Sequence, residues 1–172
     1  MYRSVVCALQ YATITRSMIS YAVNKVCQFM SHPSEAHWIT VKHIFRYLKG
    51  TVDYRMHLFP LSRYQPFPIR AFCDTDWAFD PDDRRSTSGA AIYFGPNLIA
   101  WWSRKRPVVA RSNTEAEYWS LAHVTAEILW IQTLLAELHV PSATPLTLCE
   151  LRTTVVRSSS VSSFTFGNNR AR

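Results

Sequence analysis

The chain has 172 residues, 48% of them apolar and 18% charged, with a formal net charge of +7. That is enough apolar material to bury one domain core with a small helical appendage, and it excludes the low-hydropathy composition of a disordered chain. The basic balance fits a polyanionic partner, because lysine and arginine release condensed counterions from nucleic acid, and it fits plain solubility equally well.

Cys7, Cys27, Cys73 and Cys149 stand far apart, with no Cys-x-x-Cys pair and no histidine at ligand spacing. The expectation is therefore no zinc and a reduced, intracellular protein, cytoplasmic or nuclear and not secreted. The first ten residues carry one basic side chain and an apolar run that breaks too early for a signal peptide. No stretch approaches the roughly 18 apolar residues of a membrane span, so no membrane partner is expected. The oligomeric state is not encoded in any pattern here.

Residues 17 to 50 read as two helices. Ile19, Val23, Val26 and Met30 recur at helical spacing, Trp38, Val41, Phe45 and Leu48 do so again, and His32-Pro33-Ser34 separates the two runs. Ser34 is placed as N-cap and Gly50 as C-terminal stop. Lys42, Arg46 and Lys49 fall on the opposite face, which is either simply solvated or a nucleic-acid contact. Pro60, Pro66 and Pro68 are not tolerated together in a helix or a central strand, so 60–68 is read as a linker after a helical unit at 1–59.

Beyond the linker the period changes. Residues 69–74, 90–94 and 98–102 read as strands, with Gly95-Pro96-Asn97 as a turn, giving a β-meander. Ser112-Asn113-Thr114-Glu115 has capping-box spacing, and Leu121, Val124, Ile128, Ile131, Leu135 and Leu138 continue at steps of three and four until Pro141. Residues 146–150 form a short fourth strand, completing an α/β domain over 69–150 with a mixed sheet. From 151 to 172 the chain has clustered serines, four arginines and no acid, and is expected to be a disordered or frameshifted tail.

Five of the twelve acids lie between Asp74 and Asp83. An acid at a strand's end is well placed for a hard cation, while Asp and Pro clusters also make turns. Stepping back four residues from Leu121 lands on Glu117, on the face expected to meet the sheet, where a carboxylate needs either a cation or an open rim. The alternative for Glu117 is a first-turn acid favoured by the helix dipole. Glu150 ends the fourth strand as Asp74 ends the first. If those strands are parallel neighbours, the three acids converge on a divalent-metal site.

Cys73-Asp74-Thr75-Asp76-Trp77-Ala78, Asp82-Asp83-Arg84-Arg85-Ser86-Thr87-Ser88-Gly89 and Ser112-Asn113-Thr114-Glu115-Ala116-Glu117-Tyr118 resemble the RNase H domain of copia-type LTR retrotransposon Pol polyproteins. Ala22-Val23-Asn24-Lys25-Val26 and residues Lys42 to Thr51 resemble the end of the same elements' reverse transcriptase. The resemblance covers about residues 1 to 150, making 1–59 a remnant of the polymerase and 69–150 a partial RNase H-like domain.

It implies a mixed sheet with helices packed on it, and hydrolysis of the RNA strand of an RNA-DNA hybrid by two Mg2+ ions roughly 4 Å apart. The family's first acid falls on Asp74 and its second on Glu117. Its third, an aspartate in a Cys-Asp-Asn context, falls on Glu150, and no Asp or Glu follows for a fourth. Ser17-Met18 stands for a usual Pro-Asp and Phe79 for a usual glycine. The polymerase's catalytic aspartates match nothing present.

Three readings follow. The first is an RNase H-like fragment inactive as given. The second is a non-catalytic module gripping nucleic acid through Arg84, Arg85, Arg104, Lys105, Arg106 and Arg111, with Trp101 and Trp102 nearby. The third is a functionless relic. An integrase core, of the same fold class, requires a His/Cys zinc segment upstream that is absent.

Overall fold

A first helix, α1 (Tyr2–Ala12), forms over the segment whose apolar run looked merely broken: Tyr2, Val6 and Leu9 are spaced at four and three, and all are buried. The computed structural model describes residues 1–62, 64–80, 82–150 and 155–157, so most of the expected tail lies outside the described residues. After a 3-10 turn (Ser17–Ile19) come α2 (Ser20–Cys27) and α3 (Glu35–Gly50). The Ser34 hydroxyl accepts from the His37 amide, and His37 Nδ1 accepts from the Ser34 amide, a reciprocal cap.

The apolar line of α3 runs one residue off the expectation. Ile44 is 5% exposed and Phe45 is 47% exposed, because Val41 and Ile44 are the pair that face α1 and α2. Tyr2 closes this small core, its hydroxyl donating to the Val26 carbonyl at 2.9 Å.

The remaining elements are β1 (Phe67–Asp76), β2 (Thr87–Phe94), β3 (Asn97–Lys105), α4 (Asn113–Glu137), β4 (Ser142–Glu150) and β5 (Val155–Arg157). They make a mixed five-stranded sheet in the order β3-β2-β1-β4-β5. β1, β2 and β3 pair antiparallel, β1 and β4 pair parallel, and β5 returns antiparallel to β4. β1 begins two residues before the expected position and includes Pro68, which is tolerated near the strand's start beside a register shift against β4. Gly95, at φ +58°, opens the β2–β3 turn, where a Cβ would meet the Phe67 ring at 3.0 Å.

Ile69, Ala71, Cys73 and Thr75 alternate onto one face of β1, and α4 covers that face. Val124, Ile128 and Ile131 meet Ile69, Ala71, Ile92 and Leu148 there. The helix ends in a Schellman arrangement, with the His139 amide on the Ala136 carbonyl, the Val140 amide on the Leu135 carbonyl, and His139 at φ +55°. Leu138, expected to close the stripe, is the C-cap residue of this stop and is exposed.

The helical unit and the sheet are in contact despite the proline-rich segment between them. α2 packs on β3, and Trp101 Nε1 donates to the Thr13 carbonyl at 3.0 Å. Asn97 exchanges two hydrogen bonds with the Phe59 backbone, tying the connecting segment to the start of β3. No described helix is long and apolar enough to cross a membrane.

Candidate functional site

Topology decides which end of the sheet the nominated acids share. β3 runs in the same direction as β1, α4 starts where β3 finishes, and α4 ends where β4 begins, parallel to β1. The N-terminus of α4 therefore lies at the end where β1 and β4 finish. Asp74 is near the end of β1, Glu117 is in the first turns of α4, and Glu150 is the last residue of β4.

The fine geometry departs from the sequence reading. Asp74 falls between the buried Cys73 and Thr75, on the face of β1 that α4 does not cover, and its Oδ1 accepts from the Thr75 amide at 2.9 Å. Ala116 and Ser120 continue the buried line of α4 toward its N-terminus, so Glu117 sits on the flank of that line and not at its centre. Leu121, from which the count starts, is itself only partly buried, so a step of four keeps Glu117 on the same flank. Asn113 Nδ2 donates to Glu117 Oε1 at 2.6 Å. Asp74 and Glu117 thus share one end of the sheet, with Asp74 on the face that α4 leaves uncovered. Glu150 is in register with Cys73, one residue short of Asp74, and its side chain lies outside the described residues.

Both Asp74 and Glu117 accept from neutral donors, and neither is ion-paired among the described residues. The Thr75 hydroxyl beside Asp74 is buried without a hydrogen-bond partner among the described residues. Carboxylate oxygens with spare acceptor capacity suit a hard cation in kind. In number they fall short, because among the described residues no three His, Cys, Asp or Glu side chains are grouped closely enough to hold a metal.

Asp76 ends β1, and Asp80, Asp82 and Asp83 build the turn that follows. Asp80 is buried, its carboxylate accepting from the Asp82 amide at 3.0 Å and from Lys105 Nζ at 2.7 Å, with Lys25 Nζ at 3.6 Å. The Lys105 hydrogen bond, followed by that of the Asp82 amide, holds the Asp80 carboxyl down at about 2. Asp83 is lowered by the same lysine, 2.9 Å away, and it also meets Arg85 at 3.5 Å. Burial would depress Lys105, and its two carboxylate partners outweigh that and raise it. Lys25, on α2, also lies 5.6 Å from the Phe79 ring, so this cluster fastens the helical unit to the sheet.

That arrangement sorts the six basic residues nominated for nucleic acid. Lys105 and Arg85 are engaged by carboxylates. Arg84, Arg104 and Arg111 are exposed and have no ion pair among the described residues, and Arg106 lies with its guanidinium 5.9 Å from the Trp119 ring centre. The tryptophans are sorted too: Trp101 is docked on Thr13, and Trp102 packs on the core with His123 at 5.4 Å. Trp119, 58% exposed, was passed over in the sequence, although an aromatic lying off the apolar stripe of α4 was a legible signal.

Comparison with known proteins finds similarity to the retrovirus-related Pol polyproteins from transposons RE2 and RE1 of Arabidopsis thaliana, 42% and 44% identical over 144 residues, 84% of this chain. The chain spans about a tenth of the length of each of these relatives. It is also similar to secreted RxLR effector protein 161 of Plasmopara viticola, 36% identical over 131 residues that make up 76% of this chain and 90% of that protein. No family model and no solved structure matches.

Proposed function

This chain belongs to the retrovirus-related Pol polyproteins of copia-type transposons, and from that premise we propose that residues 69–150 are an RNase H-like domain with an incomplete metal site, preceded by the last helices of a reverse transcriptase. The supporting observation is the topology: parallel β1 and β4, with α4 running back between them, assign Asp74, Glu117 and Glu150 to one end of the sheet.

Asp74 and Glu117 would hold Mg2+, with Glu150 as a third ligand. When bound, the metal would activate water and stabilise the leaving oxygen at a phosphodiester of the RNA strand in an RNA-DNA hybrid. Arg84, Arg104, Arg106 and Arg111 would hold the phosphate backbone, Lys105 and Arg85 being already neutralised. Glutamate in place of aspartate at 150 shifts a carboxylate by about one methylene, and misplacement on that scale costs on the order of 100-fold in rate. With Glu150 as its third carboxylate, the chain binds hybrid and cleaves it poorly.

A hybrid-cleavage assay on three proteins tests this reading: the chain itself, its Glu150→Asp variant, and that variant with the segment after position 150 replaced by a transposon-type continuation carrying the fourth acid. Cleavage is expected only in the last, and is lost again on Asp74→Asn or Glu117→Gln. Strong magnesium-dependent cleavage by the unmodified chain would overturn the incompleteness, and a restored protein that stays inactive would overturn the assignment.

A further inference from the structure

Resting on that nucleic-acid reading, we propose that Trp119, backed by Arg106 and flanked by Arg104 and Arg111, is a stacking platform for an unpaired base, so that the chain takes hybrids with a single-stranded overhang in preference to blunt ones. The platform is built along the outer edge of the sheet. β3 is the edge strand, and its Trp102 and the following Arg106 meet α4 one helical turn apart, at His123 and at Trp119. The ring is therefore fixed by a neighbour on one side while remaining 58% exposed.

Arg106 is half-buried with its guanidinium 5.9 Å from the indole centre, and its enclosed Nε has no hydrogen-bond partner among the described residues. Arg104 and Arg111 are exposed, and their side chains form no ion pair among the described residues, unlike those of Lys105 and Arg85. A tryptophan face set among unpaired arginines offers stacking together with phosphate neutralisation, the combination that holds single strands. Bases inside a duplex are stacked on both faces, so the indole takes a base from an unpaired strand.

Trp130 supplies the internal control. It is on the same helix and 60% exposed, and no cation or ring contacts it among the described residues.

The test is equilibrium binding of the full chain to an oligothymidylate of about 15 nucleotides, to a blunt RNA-DNA hybrid, and to the same hybrid with a single-stranded overhang. Trp119→Ala should weaken binding to the oligothymidylate and to the overhang hybrid about tenfold and leave the blunt hybrid unchanged, while Trp119→Phe retains most of the affinity. Trp130→Ala should have no effect. Equal losses in Trp119→Ala and Trp130→Ala, or no loss in Trp119→Ala, would overturn the platform while leaving the nucleic-acid reading intact. A wild-type chain that binds none of the three probes would overturn both.

Discussion

Replacing Ile92 with alanine is expected to cost about 3 to 4 kcal/mol, because a fully buried side chain is removed from the middle of the sheet where the surroundings cannot collapse. Ile92 lies on β2 between Ala71 of β1 and Ala100 of β3, and it belongs to the core that α4 covers. The alanines paired with it on both sides are too short to fill the gap. A domain stable by roughly 5 to 15 kcal/mol would lose a large share of its margin. Phe45→Ala is the informative companion: the sequence stripe makes it a core deletion, whereas its exposure on α3 makes the cost less than about 1 kcal/mol. Denaturant melts of both variants decide the matter, and equal losses would contradict the register of α3.

Asp80→Asn is the second large effect, expected at about 3 kcal/mol, because it leaves Lys105 and Lys25 beside an uncharged group in a partly buried setting. Lys105 keeps Asp83, which holds the cost to the lower end of the range for broken buried pairs. Adding Lys105→Met should recover part of the loss, since the uncompensated cation is then removed as well.

The same cluster sets an acid limit. Asp80 has a folded value of about 2, below its ordinary 3.8. Its contribution is therefore fully present above about pH 4 and is lost as pH falls through 2, worth up to about 2 kcal/mol. Melts between pH 5 and 2 should show this loss in the wild-type chain and a flatter profile in Asp80→Asn. Parallel profiles would mean that Asp80 is not the group responsible.

The parts of the fold that were legible in the sequence are those specified locally. Ser112 and Glu115 announced the start of α4, and the Ser112 hydroxyl accepts from the Glu115 amide as expected. The Glu115 carboxylate, however, takes the Arg111 amide, one residue further back than a capping box requires. The strands were legible from alternation, and the parallel pairing of β1 and β4 was framed as the condition on which the acids would share one end.

What was not legible depends on partners distant in the chain. Lys105 looked like a phosphate ligand because the acids that neutralise it lie more than twenty residues upstream. The sequence leaves Trp101 open between a nucleic-acid contact and a core position, because its acceptor, Thr13, belongs to a helical unit that the prolines set apart from the sheet. α1 was missed because its capping residue is Met1, with no side-chain hydrogen bond to mark the start. For the candidate site, the residue types and the shared end were readable, whereas the face carrying Asp74 required the burial pattern of β1.

The most direct test of the metal site is a Mn2+ titration of the unmodified chain followed through backbone amide resonances. The ion replaces Mg2+ among the same oxygen ligands, and its unpaired electrons broaden nearby signals. Broadening is expected first at residues 74–76 and 113–118, at opposite faces of one rim, and should disappear in Asp74→Asn. Broadening centred on Asp82 and Asp83, with the amides around Asp74 and Glu117 unaffected and Asp74→Asn without consequence, would contradict a metal site at that end of the sheet.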